Sequence, residues 1–312
     1  MGFSGNVTVV LGGGLGASLG RKGTVSDITL YNHKQGDCVL SFVEPSGYPD
    51  KIQPLVSALN LADQAVLRVS GFDKFLAETI VALDAAGIEK GYLIVKDGVD
   101  LEVLKKYLAG SIVEEYEPLE DKTVAIREKL AELKQDLTGE PVVQVDHCFP
   151  VRGVGTVALG VVKRGMLKKY SELKAYPQNI ETMVKSVQVH DTDVPEAGVG
   201  VRVGLALKDV KPEDIPRGTV LSTGEVECAG EIACEAVLSK YAPRGLATGD
   251  AVLVNSALNY TPAKIVGGGV SPGGKAKLKL KLEKPVPLIS DRILLLDPGQ
   301  RIPRIYGFAV VI

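Results

Sequence analysis

The chain has 312 residues, 45% of them hydrophobic and 24% charged, with a formal net charge of −2. This length and apolar content suit two or three packed domains and exclude an intrinsically disordered chain. No apolar run is long enough to span a bilayer and no basic-then-apolar leader opens the sequence, so a soluble cytoplasmic protein with no membrane partner is expected. Cys38, Cys148, Cys228 and Cys234 fall in no CxxC spacing and the three histidines are not grouped with them, which predicts structural thiols and no metal site. The charge is uneven: −6 over residues 1–138, +1 over 139–222 and +3 over 223–312. An acidic first third joined to mildly basic remaining parts is compatible with a nucleic-acid surface confined to the back of the molecule.

In chain order, residues 6–11 read as an apolar strand ending in Gly12, Gly13, Gly14, Leu15, Gly16, Ala17 and Ser18, where a nucleotide-binding α/β domain places its phosphate loop. A working loop is GxxxxGK[ST], whose amides wrap the phosphates while Lys reaches the terminal ones and the hydroxyl holds magnesium. Here Ala17 stands for the second Gly, Ser18 for Lys and Leu19 for the hydroxyl. Residues 28–32 and 38–43 read as a hairpin turning through residues 33–37. Strands at 64–69 and 91–95 then alternate with helices at 72–86, 101–108 and 123–137, a pattern that predicts a parallel sheet with right-handed crossovers. A linker at residues 138–141 leads into β-branched segments punctuated by Gly153, Gly155 and Gly160, too many glycines for an ordinary strand. They suggest bulges, barrel corners or close backbone approach, and hence a small closed barrel. A third segment, all β, holds strands at 231–238, 251–255, 263–267 and 275–282. In the last of these Lys275, Lys277, Lys279 and Lys281 alternate with Ala276, Leu278, Leu280 and Leu282, which predicts a row of ammonium groups on one face. That row reads equally as a solubilising face, a guarded sheet edge or a phosphate track.

Asp146, Phe149, Val151, Arg152, Gly153, Gly155, Thr156, Val157 and Gly160 together resemble the opening of the second domain of translational GTPases. Residues 183–190, 197–205 and 216–221 resemble later strands of that domain, and residues 299–307 the family's terminal strand. Within the superfamily the chain looks most like SelB, the selenocysteine-specific elongation factors, and in particular like truncated archaeal SelB-like proteins. The resemblance implies a multidomain α/β plus all-β fold: a degenerate P-loop GTPase-like α/β domain at 1–138, then two β-barrels at 139–222 and 223–312. It also implies that SelB's additional C-terminal extension, which couples it to messenger or ribosome, is missing, so selenocysteine delivery is not simply inherited.

The same resemblance marks where the nucleotide site is altered. Residues 22–28 are similar to the family's switch segment but follow the loop after only a few residues, so most of the first helix and switch is expected to be missing, with Val25 at the position of the phosphate-closing threonine. Residues 43–48 are similar to Val-Asp-Ala-Pro-Gly-His, with Glu44 for the aspartate, Ser46 for the proline, Gly47 retained and Tyr48 for the water-positioning histidine. A tyrosine there is a poor base near neutral pH. At the guanine motif the chain offers Lys96 and Asp97 but Gly98 in place of the base-binding aspartate. Loss of a single transition-state charge contact in such enzymes costs about three to five orders of magnitude in rate. The expectation is therefore a noncatalytic pseudo-GTPase with no cofactor, GTP and magnesium included. The loop is read either as a scaffold remnant or as a rewired anion site. The expected partners are tRNA or another RNA, with the ribosome or translation proteins, and no DNA. Arg152, His190 and Arg202 are the candidate RNA contacts of the first barrel, each alternatively a solvated or internally bonded barrel residue. A protein-interaction scaffold and an active GTPase with unorthodox ligands stand as the other readings.

Overall fold

The computed structural model describes residues 3–36, 38–299 and 301–312; Asp37 of the expected hairpin turn and Gln300 of the expected terminal strand lie outside them. The first domain is one seven-stranded sheet: β1 (Ser4–Leu11), β2 (Arg21–Val25), β3 (Thr29–Gln35), β4 (Cys38–Glu44), β5 (Gln64–Val69), β6 (Gly91–Val95) and β7 (Glu117–Pro118), in the order β2-β3-β4-β1-β5-β6-β7. β1 pairs in parallel with both β4 and β5 and is buried along almost its whole length, as a continuous apolar strand must be in a covered sheet. Five helices accompany the sheet: α1 (Gly16–Leu19), α2 (Gln53–Leu61), α3 (Lys74–Ala86), α4 (Leu101–Leu108) and α5 (Thr123–Leu130).

Local chemistry explains their limits. The Asp73 carboxylate accepts the amides of Phe75 and Leu76 to start α3, and Gly87 at φ 71° ends it; Asp100 starts α4 in the same way. α2 has no counterpart in the sequence reading, although Pro54 in its first turn and Leu55, Val56 and Leu59 at helical spacing were the available signal. α1 is a single turn of four residues, and β2 begins two residues later. The segment similar to a switch is therefore an edge strand, with Arg21 opposite Asn32 and Lys22 opposite Tyr31. The helix expected over 123–137 stops at Leu130. Asn6 Nδ2 donates to the carbonyls of Leu130 (3.1 Å) and Leu133 (2.9 Å), which draws the following chain onto β1 instead of into further turns.

The second sheet, in residues 142–222, closes through pairing of the strands Glu172–Tyr176 and Ile180–Val189. Its longest hairpin joins Val142–Val151 to Gly155–Arg164, with Gly153 and Gly155 at positive φ around the tip. Gly160 is a close-approach glycine, since a Cβ there would lie 2.4 Å from the Gln144 carbonyl oxygen. The third sheet closes through Asn259–Val270 and Lys275–Pro287. Leu278, Leu280 and Leu282 fill that barrel while the intervening lysines are exposed. Because Lys275–Pro287 is paired on both sides, the guarded-edge reading of the lysine row does not hold.

The bonds that fasten the domains together include three sets. The start of β1 docks on the first barrel, the Gly5 amide donating to the Val199 carbonyl at 3.0 Å and Gly198 to Phe3 at 2.8 Å. Lys163 Nζ reaches back to the Leu61 carbonyl and to Asp63, both at 2.9 Å. The third contact is buried: Arg304 donates through Nε and Nη2 to the two carboxylate oxygens of Glu78 on α3, at 3.1 and 2.6 Å, and its own amide donates to Glu78 as well. Glu78 has no exposure and the Arg304 side chain 5%. Breaking a buried pair by removing one charge costs about 3–5 kcal/mol, whereas replacing both partners by apolar groups is often neutral. Glu78→Gln is thus expected to lower unfolding stability by about 3–5 kcal/mol in urea titrations, and Glu78→Leu with Arg304→Met by clearly less.

Candidate functional site

The loop after β1 takes the conformation that its glycines permit, with Gly12, Gly13 and Gly14 all at positive φ. Gly12 is needed for packing, because a Cβ would fall 2.0 Å from the Arg68 carbonyl oxygen; around Gly13 and Gly14 there is open space. A cavity of about 210 Å³ lies over the loop, bounded also by Glu44, Ser46, Tyr48 and Thr79. The Gly16 amide donates to Glu44 Oε1 at 2.7 Å, so a side-chain carboxylate occupies the first amide of the single turn α1. Tyr31 packs against both groups, a Cβ on Gly16 would meet its ring at 2.6 Å, and burial followed by the charge of Glu44 raises its pKa.

No cation enters the loop from the lysine position. Ser18 Oγ donates to the Leu15 carbonyl at 2.8 Å, and Arg127 from α5 caps the single turn by donating to the carbonyls of Leu19 (2.8 Å) and Ser18 (3.0 Å). Val25, 55% exposed at the end of β2, faces solvent. The Gly47 amide donates to the Asp27 carbonyl at 2.7 Å, and Asp27 is ion-paired with Arg217 of the first barrel. The Tyr48 hydroxyl donates to the Phe75 carbonyl at 2.9 Å, with burial pushing its pKa up. Lys96 pairs with Asp121, Asp97 and Gly98 are exposed, and Asp100 serves as the α4 cap.

A larger recess lies elsewhere. A groove of about 630 Å³ separates β2 from the first barrel, with Arg21, Lys22 and Thr24 on one wall and Phe149, Val154 and His190 on the other. Burial lowers the pKa of His190, and Lys34, Arg21 and His33 press the same way against Asp191, so the groove's cationic character comes from its lysine and arginine side chains. His190 and Asp191, both at positive φ, form the turn between strands Ile180–Val189 and Thr192–Val194. Arg152 sits exposed at the tip of the long hairpin, between the groove residues Val151 and Val154. Arg202 lines the groove but is already committed. It donates through Nε (3.0 Å) and Nη2 (2.7 Å) to both oxygens of fully buried Asp146, and through Nη2 to Thr24 Oγ1 at 3.0 Å, so it joins the barrel to β2. The sequence reading passed over Arg21 and Lys22 as groove residues; their adjacency before an edge strand was the only signal. On the second barrel Lys275 pairs with Glu235 at 2.8 Å, while Glu231 stands across from Lys281 and Glu235 across from Lys277. The lysine row is thus interleaved with acid on the neighbouring strand.

Among the described residues no group of three or more His, Cys, Asp or Glu side chains is placed to hold a metal ion, and no helix is long and apolar enough to cross a membrane. Residues 155–222 match the family described as elongation factor Tu domain 2. An uncharacterized protein of Methanocaldococcus jannaschii is 38% identical over 297 residues, covering 94% of both chains. The selenocysteine-specific elongation factor of the same organism is 27% identical over 217 residues, which is 60% of this chain and 45% of that factor's length. The crystal structure of translation elongation factor SelB from Methanococcus maripaludis, in complex with a GTP analogue, superposes with a TM-score of 0.80 at 24% identity, over 100% of this chain and 79% of that one. That likeness establishes the shared fold.

Two carboxylates set the acid response of this region. Burial pushes Asp146 up, but the charge of Arg202 with hydrogen bonds from His147 and Arg202 outweighs it and holds the pKa below the ordinary aspartate value; Asp27 is held down against burial by Arg217. A depressed folded-state pKa contributes stability that is complete above the unfolded value of about 3.9 and is lost as pH falls through the folded one. The expected outcome is that Asp27→Asn and Asp146→Asn each lower stability at neutral pH and flatten its decline below about pH 4, read from urea midpoints across a pH series.

Proposed function

We propose, for a chain that belongs to the translational GTPase superfamily, that it is a SelB-like translation factor of the cytoplasm that binds RNA without binding or hydrolysing GTP. The observation that carries the nucleotide half is Glu44 on the Gly16 amide: the position that would receive a phosphate already holds a carboxylate, whose charge opposes any incoming anion. The absence of a lysine at position 18 removes the cation that would offset it. Calorimetric titration with GTP or GDP in the presence of magnesium is expected to give no submicromolar binding. A stoichiometric submicromolar isotherm would sink the pseudo-GTPase reading.

The RNA half rests on the groove between β2 and the first barrel. Its cations Arg21 and Lys22 and its half-apolar wall suit the end of an RNA strand, with phosphates on the basic wall and an apolar or aromatic group against Phe149 and Val154. The tRNA 3′ end is the substrate class we assign to it. The exposed Lys277, Lys279 and Lys281 then serve as a backbone track that adds affinity without sequence preference. Each phosphate contact contributes somewhat less than one unit to the slope of log affinity against log salt. Lys277, Lys279 and Lys281 together changed to Gln are expected to flatten that slope by about two to three units with an unchanged thermal melt. Arg21→Gln with Lys22→Gln is expected to flatten it by about one to two units and to remove preference for a free 3′ end. Wild-type slopes in both variants would mean that RNA, if bound, is bound elsewhere.

A further inference from the structure

The two barrels are fastened to the first domain by different chemistry. Between the first domain and the second barrel the apolar core is continuous: Leu258, Leu294 and Ile305 of the barrel lie in the same buried cluster as Leu55, Leu59 and Leu83 of the first domain. The Glu78–Arg304 pair is buried at that boundary, and Arg292 Nη1 donates to the Ala85 carbonyl at 3.0 Å across it. The first barrel contributes one buried side chain to this cluster among the described residues, Val161. In return its own core takes in Val39, with Phe3 packed against it. The bonds that join it to the first domain are those of Arg202 to Thr24, Arg217 to Asp27, Lys163 to Asp63, and the amides of Gly5 and Gly198. Arg217 and Asp27 are each about a third exposed, and pairs so placed contribute little net stability and are screened by salt. Domains joined by a polar interface move against each other by default, whereas a large apolar interface suppresses the motion.

The covalent connections suit such a motion. The chain enters the first barrel at residues 138–141 and leaves it at 222–226, and the two crossings touch: Thr223 Oγ1 donates to the Glu140 carboxylate, and a Cβ on Gly224 would lie 3.0 Å from Glu140 Cγ. A small apolar cluster, Val142, Tyr176 and Val220 with Val226 and Ala257, packs this end of the barrel against the second one. The long hairpin of the first barrel starts here, with Val142 opposite Arg164, and its far end reaches the groove, where Val151 and Val154 line the wall. Each of its strands has ten residues. That length spans about 30 Å, so a rotation of about 10° at the crossings displaces the tip by about 5 Å.

We propose that the first domain and the second barrel form one rigid body, and that the first barrel is hinged on it at residues 138–141 and 222–226, its swing opening and closing the groove beside β2. The motion belongs to the free chain and holds for whatever the groove takes. The test is amide hydrogen exchange of the full chain, read residue by residue by NMR, as salt is raised from about 0.1 M to about 1 M and the screening length falls from about 10 Å to about 3 Å. Gly5 donates to Val199 and Gly198 to Phe3, both across the boundary that opens. The Arg304 amide donates to Glu78 across the other boundary, and the Gly200 amide to Val162 within the first barrel. Protection of Gly5 and Gly198 is expected to fall at least about tenfold at high salt, with Arg304 and Gly200 unchanged. Thr24→Val with Arg217→Gln, which removes two bonds across the first boundary and leaves Arg202 on Asp146, is expected to give the same loss at low salt. The proposal is overturned if Gly5 and Gly198 keep their protection in both experiments, or if Arg304 or Gly200 loses protection in step with them.

Discussion

The packing of the first domain against the second barrel centres on one buried ion pair. Glu78 sits on the face of α3 turned toward the second barrel, and no solvent reaches it. A carboxylate in that position is tolerable only if its charge is matched at once, and Arg304 supplies the match with two side-chain donors and a backbone amide. The same guanidinium donates to the Asp50 carbonyl at 3.3 Å and lies 5.7 Å from the centroid of the Tyr48 ring. One residue beside the terminal strand thereby holds α3, the segment after β4 and the second barrel in a single register. Tyr48 in turn bonds to Phe75 on the same helix. The segment that is similar to a nucleotide-responsive one is thus clamped by protein groups.

This gives the Glu44 contact its meaning. In the superfamily's GTPases, switch segments are ordered by contacts to the terminal phosphate and released on hydrolysis. Here a carboxylate from β4 meets the loop amide, Arg127 caps the shortened first helix, and Asp27 with Arg217 ties the β2–β3 turn to the first barrel. Each contact satisfies a backbone or charged group of the region from within the chain.

The basic side chains divide into two populations by burial. Arg202, Lys163 and Arg304 are spent on joining domains, each against a carboxylate of low exposure. Arg21, Lys22, Lys106 and the exposed lysines of Lys275–Pro287 stay at the surface, where they remain available to anions. A charge count by domain cannot separate these groups. The first domain is acidic overall and still contributes Arg21 and Lys22 to the groove, because the edge strand carries them to its own boundary.

Much of the architecture was legible in the residues. The period-two alternation of Lys275–Pro287, the helical spacing of α3 and α4, and the apolar run of β1 are local patterns, and each became the element that it implied. The departures from the loop and guanine patterns were legible too, because Ser18 and Gly98 are facts of identity, whatever the geometry. The helix at 53–61 and the early end of α5 were not. The first is buried on nearly every face and so lacks amphipathic contrast, and the second is stopped by Asn6, more than a hundred residues earlier in the chain. The sequence by itself determined the order of α/β and all-β segments, the residues that stand in the loop after β1 and the face of the lysine row, since these follow from residue type and short-range period. Only the tertiary structure decided that Glu44 sits on the Gly16 amide, that Arg202 serves Asp146, and that Glu78 meets Arg304 across 226 positions. Those are choices of partner between distant residues, made by packing, and no local pattern encodes them.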